Sequence, residues 1–108
     1  MSIEQRKVID IVGVDEEANE VVLTISDHLR WDDPKSNHLL LLQDKINDYL
    51  AFIESGELLE TYPDAKGRKP IIQVYAKHPL NDVAEQFYKK VAQIVANAGF
   101  ELRFRLTS

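Results

Sequence analysis

The stretch FELRFRLTS, Phe100 to Ser108, decides the fold class of this chain. Its apolar residues Phe100, Leu102, Phe104 and Leu106 alternate with polar ones, which is typical of a β-strand with one buried and one solvated face. A sheet of such strands needs cover on one side only, and the rest of the sequence predicts two helices. We therefore predict an α+β fold: a two-layer α/β sandwich with a four-stranded mixed sheet and both helices on one face.

Three more strands are predicted ahead of this one. The run KVIDIVGV, Lys7 to Val14, is dense in β-branched residues, and EVVLTIS, Glu20 to Ser26, alternates in polarity. The polar turn between them makes a hairpin, whose second strand should bury its odd-numbered side chains. Pro70 can open the third strand, IIQVYAK, because the first position of a strand tolerates a missing N–H.

Two helices follow from apolar residues at three- and four-residue intervals. The first begins near Pro34 and stops at Ser55-Gly56, where glycine can adopt the left-handed conformation. The second is capped by Asn81 or Asp82 and ends at Ala98-Gly99. The element order is therefore ββαβαβ, and the last two strands, joined through a helix, should be parallel.

The segment between the first helix and the third strand, TYPDAKGRKP, is predicted to lack regular structure. Pro63, Gly67 and Pro70 interrupt it, and it shows no apolar periodicity. We expect it to be the most mobile interior segment, with Tyr62 as its one anchor on the helix.

The apolar stripes of the strands and helices define one predicted, contiguous core. Its members are Leu23, Ile25, Leu42, Ile46, Ile53, Phe87, Val91, Ile94, Phe100, Leu102 and Phe104.

Composition narrows the classes of protein. Eighteen acidic and thirteen basic residues give a net charge of −5, which argues against a non-specific nucleic-acid binder. The chain has no cysteine, so disulfides, thiolate nucleophiles and cysteine zinc sites are excluded. Apolar blocks such as Leu39 to Leu42 fall far short of the roughly 20 residues of a membrane span. We expect a single soluble, cytoplasmic domain over residues 1–108, with no membrane contact.

The clearest candidate site is SDHLRW and the start of the helix after it. Asp27, His28, Trp31 and His38 could converge, and with Asp32 they could hold a metal ion or a small molecule. The spacing matches no established ligand pattern, so boundary histidines are the simpler interpretation and no metal or cofactor is predicted. Trp31 either plugs the end of the sandwich or forms the wall of a ligand pocket.

The aspartates around this stretch have structural roles available. Asp33-Pro34 suits an N-cap followed by proline at the first helical position, and Asp27 can accept backbone hydrogen bonds in a turn. Ser26, Asp27 and His28 are consecutive, so neighbouring side chains on a strand point to opposite faces and cannot form a triad. No catalytic residue is predicted.

A second candidate site is the solvated face of the sheet. Arg103 and Arg105 lie on it, beside Tyr75 if the third and fourth strands are neighbours. The face could bind a partner, or its cations could simply pair with glutamates. We therefore predict a non-enzymatic interaction or scaffold domain acting through this face or an edge strand; the alternative is a small-molecule or metal-dependent enzyme with a site where the second strand meets the first helix.

The first strand also suggests self-association. Within KVIDIVGV only Lys7 and Asp10 are charged, so an open edge or face there would expose apolar surface. We expect a homodimer, which Asp substitutions at Ile9 or Ile11 should split. Any other protein partner is unidentified.

Several motifs together resemble a known group of proteins. They are SDHL followed by Trp31, the run HLLLLQDKINDYLAFIESG, the YPDAKGR loop and the AGFELRF ending. Over roughly Val8 to Phe104 the chain resembles a family of small bacterial proteins that is defined as a domain of unknown function. The resemblance implies a small bacterial cytoplasmic protein, and it implies no activity and no catalytic residue.

Overall fold

In the computed structural model, residues 11–31 and 38–106 are described. The chain runs through eight elements of regular structure in these ranges. They are β1 (Ile11–Asp15), β2 (Glu20–Asp27), α1 (His38–Glu54), α2 (Glu57–Thr61), a 3-10 helix (Pro63–Ala65), β3 (Lys69–Ala76), α3 (Asp82–Asn97) and β4 (Glu101–Leu106). The fold is thus α+β, as predicted. The expected beginnings of the first strand at Lys7 and of the first helix near Pro34 lie outside the described residues.

The four strands form one mixed sheet in the order β1-β2-β3-β4. β1 pairs with β2 antiparallel, in the predicted hairpin, while β2 and β3, and then β3 and β4, pair parallel. The parallel pairing of the last two strands is therefore confirmed. The sequence did not predict the order of the strands. In the register of the sheet, Ile25, Val74 and Phe104 lie in one row across three strands.

The odd-numbered side chains of β2 form the centre of the core. Val21, Leu23 and Ile25 are fully buried, and the register sets Leu23 beside Ile72 and Ile25 beside Val74. Both long helices add residues to this hydrophobic cluster. Its buried members are Val21, Leu23, Ile25, Leu42, Ile46, Tyr49, Leu58, Ala65, Ile72, Val74, Ala76, Tyr88 and Val95.

The predicted core is correct except at one position. Ile53, Phe87, Val91, Phe100, Leu102 and Phe104 are partly buried and pack against the cluster. Ile94, in contrast, is 59% exposed, because in this turn of α3 the buried side chain is that of its neighbour Val95. When the apolar stripe of a helix is wider than the surface it packs against, the sequence does not show which edge of the stripe stays exposed to solvent.

The segment predicted to be irregular, Thr61 to Pro70, carries a short helix. α2 reaches only its first residue, and the 3-10 helix follows from Pro63 to Ala65. Ala65 is buried in the core cluster, whereas Tyr62, the expected anchor, is 37% exposed. The prediction was wrong because proline at the first turn of a helix is tolerated, so Pro63 opens a turn instead of preventing one.

The helix ends match the residues predicted to form them. Gly56, at φ 89°, follows α1 in the left-handed conformation, and Gly99, at φ 93°, follows α3. The side chain of Asn81 accepts a hydrogen bond from the Ala84 N–H at 2.8 Å and so caps α3. Within the described ranges, no helix has the length and apolarity needed to cross a membrane.

We predict that Phe104→Ala lowers the free energy of unfolding by about 3 kcal/mol, the low end for phenylalanine, because the ring is only partly buried. The ring packs edge-on against Tyr88, with centroids 5.4 Å apart. Leu106→Ala is the matched control on the same strand face, where the side chain is 44% exposed; it should cost less than about 1 kcal/mol. Equal losses for the two variants in urea unfolding would show that the strand faces are assigned wrongly.

Candidate functional site

A buried pair of polar side chains joins the end of β2 to the start of α1. Asp27 Oδ2 lies 2.5 Å from Nε2 of His38, the first residue of α1. The other carboxylate oxygen, Oδ1, accepts the backbone N–H of Leu29 at 3.1 Å. Asp27 is 3% exposed and His38 4%. Two of the residues that the sequence marked as site candidates are therefore in direct contact.

Both ring nitrogens of His38 have a hydrogen-bond partner. Nδ1 faces the carbonyl oxygen of Arg30 at 3.2 Å, and because a carbonyl can only accept, Nδ1 is the donor in this contact. Nε2 lies within hydrogen-bond distance of Asp27 Oδ2, at 2.5 Å. The imidazole and both carboxylate oxygens of Asp27 are therefore hydrogen-bonded. This satisfies two polar groups whose separate burial would be costly.

Trp31 lies against the outer side of this pair. Its ring stacks on His38, with centroids 3.5 Å apart and planes 18° apart. The indole N–H is buried and finds no acceptor in the described part of the chain. Trp31 thus fixes the imidazole plane from one side, while the carboxylate fixes it at its edge.

Tyr88 of α3 brings a further buried polar group near the pair. Burial and, secondarily, the negative charge of Asp27 raise the pKa of Tyr88 well above its usual range. Its hydroxyl therefore stays protonated at any physiological pH, and among the described residues it has no hydrogen-bond partner. The hydroxyl cannot serve as a base in this position.

The candidate residues divide into a buried and an exposed set. His28, the residue after the end of β2, is exposed at the surface. No group of three or more His, Asp or Glu side chains in residues 11–31 and 38–106 could hold a metal ion. Asp32 and Asp33, the other carboxylates considered, lie outside the described residues. Among the described candidates, the geometry brings together Asp27, Trp31 and His38.

A cleft opens beside Trp31. It has a volume of about 380 Å³ and is lined by Arg30, Trp31, His78, Pro79, Leu80 and Asn81. These residues follow the ends of β2 and β3 or precede α3, so the cleft lies at the carboxyl ends of two parallel strands. Ligands of α/β proteins commonly bind at this edge of the sheet.

The second candidate site, on the other face of the sheet, is partly neutralised. Register places Arg103 beside Gln73 and Arg105 beside Tyr75, as expected for neighbouring strands. The Arg103 guanidinium donates to Glu20 Oε2 at 2.7 Å and also to Glu101. It therefore reaches across β3 to β2, so pairing with glutamate accounts for this cation.

The rest of that face keeps exposed cationic and aromatic groups. Arg105 is exposed, and Tyr75 is 44% exposed. The hydrogen bonds with Glu20 and Glu101 raise the pKa of Arg103, whereas Arg105 is an exposed cation beside Tyr75. This end of the face therefore has an exposed cationic and aromatic character.

The two edges of the sheet differ in their side chains. β4 carries Glu101, Arg103 and Arg105, which protect an edge by charge. In β1 the residues 11–14 are uncharged and contain no proline, and only Asp15 at the end is acidic. In the described part of the chain β1 pairs with β2 alone. No other described strand pairs with its outer edge, beside exposed Gly13 and Val14.

Three residues of this region were missed in the sequence. Lys45 is fully buried, with Nζ 5.5 Å from the ring centroid of Tyr49. Its position, three after Leu42 and four before Tyr49, puts it on the apolar stripe of α1, and this spacing could have revealed it. Arg30 and His78 carried no such signal, because their meeting at the cleft depends on the pairing of β2 with β3.

Comparison with protein families gives one match over the whole chain. A family model described as a family of unknown function (DUF6572) matches residues 1–108. Comparison with curated proteins and with solved structures finds no significant match. The resemblance to proteins of unknown function is confirmed at that level, while the particular motifs and the bacterial origin stay predictions.

We predict that Asp27 and His38 are energetically coupled. Asp27→Ala or His38→Ala should each cost about 3–5 kcal/mol of unfolding free energy, because the remaining partner is left buried and unpaired. The double variant should cost less than the sum by about 0.5–3 kcal/mol. Ser26→Ala, at the neighbouring half-buried position, serves as control and should stay within about 0.5 kcal/mol of wild type. Strict additivity in denaturant unfolding would contradict the pair.

The ion pair on the open face gives a pH-dependent prediction. The hydrogen bond from Arg103, with further help from Lys69, holds the pKa of Glu101 below its ordinary value. A carboxyl whose pKa is lower in the folded state stabilises the fold above its unfolded pKa, and the contribution disappears as pH falls.

Glu101→Gln should therefore reduce the unfolding free energy at pH 7, by at most about 1 kcal/mol because the pair is near the surface. The difference from wild type should vanish at about pH 2. Glu16→Gln, in the exposed turn after β1, is the control and should show little effect at either pH. A difference that grows on acidification would refute the assignment.

Proposed function

The chain belongs to the family of unknown function DUF6572, and from this premise we propose that it is a non-enzymatic interaction domain that pairs through the edge of β1. The observation that carries the proposal is the contrast between the two sheet edges. β4 alternates charged with apolar residues, whereas residues 11–14 of β1 offer open backbone groups without charge or proline. An edge without such protection is a template for another strand.

The partner that fits this edge is a second copy of the chain. Two identical strands can pair antiparallel about a two-fold axis, so that each contributes the same surface. β1 already runs antiparallel to β2, so the pairing would continue the antiparallel part of the sheet. Apolar Val14, 40% exposed, would be covered in the same step.

The proposal also includes the finer features of the fold. The buried residues of α1 and α3 join the same cluster as the odd face of β2, which supports both long helices lying on one face of a two-layer sandwich. The opposite face, with Tyr75 and Arg105, is then available to a further partner. A bacterial cytoplasmic protein is the setting we propose, and a chain without cysteine suits a reducing compartment.

The alternative, an enzyme at the junction of β2 and α1, is less well supported by the geometry. Asp27 and His38 are almost fully buried and use their side-chain atoms on each other and on backbone groups. A catalytic group must reach the substrate. We propose instead that this pair fixes the helix and the indole beside it.

We predict that the wild-type protein is a dimer of about twice the 12.4 kDa chain mass in light scattering at micromolar concentration. Val14→Lys should convert it to a monomer, because a lysine on an edge strand opposes its pairing with another strand. Leu59→Lys is the matched control, since Leu59 is 47% exposed but lies on α2, and it should remain dimeric.

Circular dichroism of both variants tests that they are folded. A wild-type protein that stays monomeric at about 100 μM, a concentration well above the dissociation constant of a stable dimer, would overturn the proposal. So would a folded Val14→Lys variant that dimerises as wild type does.

A further inference from the structure

The cleft beside Trp31 has the size and position of a small-molecule site. Its volume of about 380 Å³ falls in the range of about 300–1,000 Å³ that ligand pockets occupy. β2 and β3 are parallel neighbours, so the segments that leave their carboxyl ends converge there, with Arg30 and Trp31 on one side and His78 on the other. The site is separate from the β1 edge.

The indole of Trp31, which lines the cleft, is held in place by its contact with His38. One face of Trp31 stacks on His38 at 3.5 Å, and His38 is fixed at Nε2 by Asp27 and at Nδ1 by the Arg30 carbonyl. The occupied face is not available to a ligand, so the cleft is bounded by the remaining surface of the ring. A flat aromatic surface that is already held in place favours the binding of a flat ligand, because little conformational entropy of the protein is lost on binding.

The polar groups of the cleft are mainly hydrogen-bond donors. The Arg30 guanidinium has donors only. Asn81 uses its Oδ1 to cap α3, so its Nδ2 amide, which can only donate, is the group left for a ligand. His78 can donate from either ring nitrogen, and none of the six described lining residues is acidic. A ligand that satisfies this set must supply acceptors, and a negative charge would suit Arg30 best.

We propose that this cleft binds a small, flat organic anion, with an aromatic carboxylate as the simplest example, its ring against Trp31 and its carboxylate on Arg30. Pro79 and Leu80 supply apolar contact along the ring, and Asn81 and His78 donate to acceptors at its edge. The buried pair of Asp27 and His38 does not touch the ligand. Its part is to position the indole.

The lone tryptophan gives a direct measure of binding. Trp31 is the only tryptophan in the chain, so its indole N–H gives a single, unambiguous NMR cross-peak. The test is a titration of ¹⁵N-labelled protein with benzoate, benzamide and acetate in turn. Benzoate should shift this cross-peak saturably, and benzamide, the same ring without charge, should bind at least tenfold more weakly. Acetate, which has the charge without the ring, should also bind at least tenfold more weakly.

Matched arginine variants test the role of Arg30. Arg30→Gln should weaken benzoate binding by about 10–100-fold, the equivalent of a charge-assisted hydrogen bond. Arg105→Gln removes an equally exposed cation from the other face of the sheet and should leave benzoate affinity unchanged. Val14→Lys should also leave it unchanged, so that failure of the cleft and failure of dimerisation are distinguished.

Each contrary result overturns a defined part of the proposal. If the Trp31 cross-peak shows no saturable shift up to about 10 mM benzoate, the site is ruled out, because binding with a higher dissociation constant would not be specific. Equal binding of benzamide rules out recognition of charge, and equal binding of acetate rules out the indole wall. Equal losses in Arg30→Gln and Arg105→Gln would mean that benzoate responds only to the overall charge.

Discussion

The hydrogen bond between Asp27 and His38 is the contact on which the arrangement of sheet and helix depends. It joins the last residue of β2 to the first residue of α1. A second contact lies three turns further along the helix, where the Tyr49 hydroxyl donates to the Thr24 carbonyl at 2.9 Å. Two fixed points define the position of a helix along a strand, which one apolar stripe cannot do because it tolerates sliding.

The same contact determines what surrounds the cleft. Because the imidazole is held at both nitrogens, the ring plane is fixed, and the indole of Trp31 that stacks on it is fixed with it. The parallel pairing of β2 with β3 then brings His78 to the opposite side. A buried pair that is inaccessible to ligands thus shapes a surface that is accessible.

The sequence predicted those features that depend on local periodicity. Alternation in β4 and β2, the glycine at position 56 and the Asn81 cap each involve residues a few positions apart, and the structure has all of them. Side-chain contacts between distant residues, in contrast to the pairing of the last two strands, did not follow from the sequence. Asp27 and His38 are eleven positions apart, so their meeting depends on the path of the connection, and the cleft needs the strand order as well.

The buried pair also bears on the choice between binding and catalysis. Replacing a buried polar pair by apolar residues of the same volume often preserves stability, so stability alone does not explain why a chain would bury an acid against an imidazole. A directional hydrogen bond, however, has one geometry, whereas an apolar contact accepts many. We therefore propose that Asp27 and His38 act through position, by holding Trp31 and α1 in place. In the functions proposed above, the groups that meet a ligand or a partner lie outside this pair, at the donors of the cleft and at the uncharged backbone edge of β1.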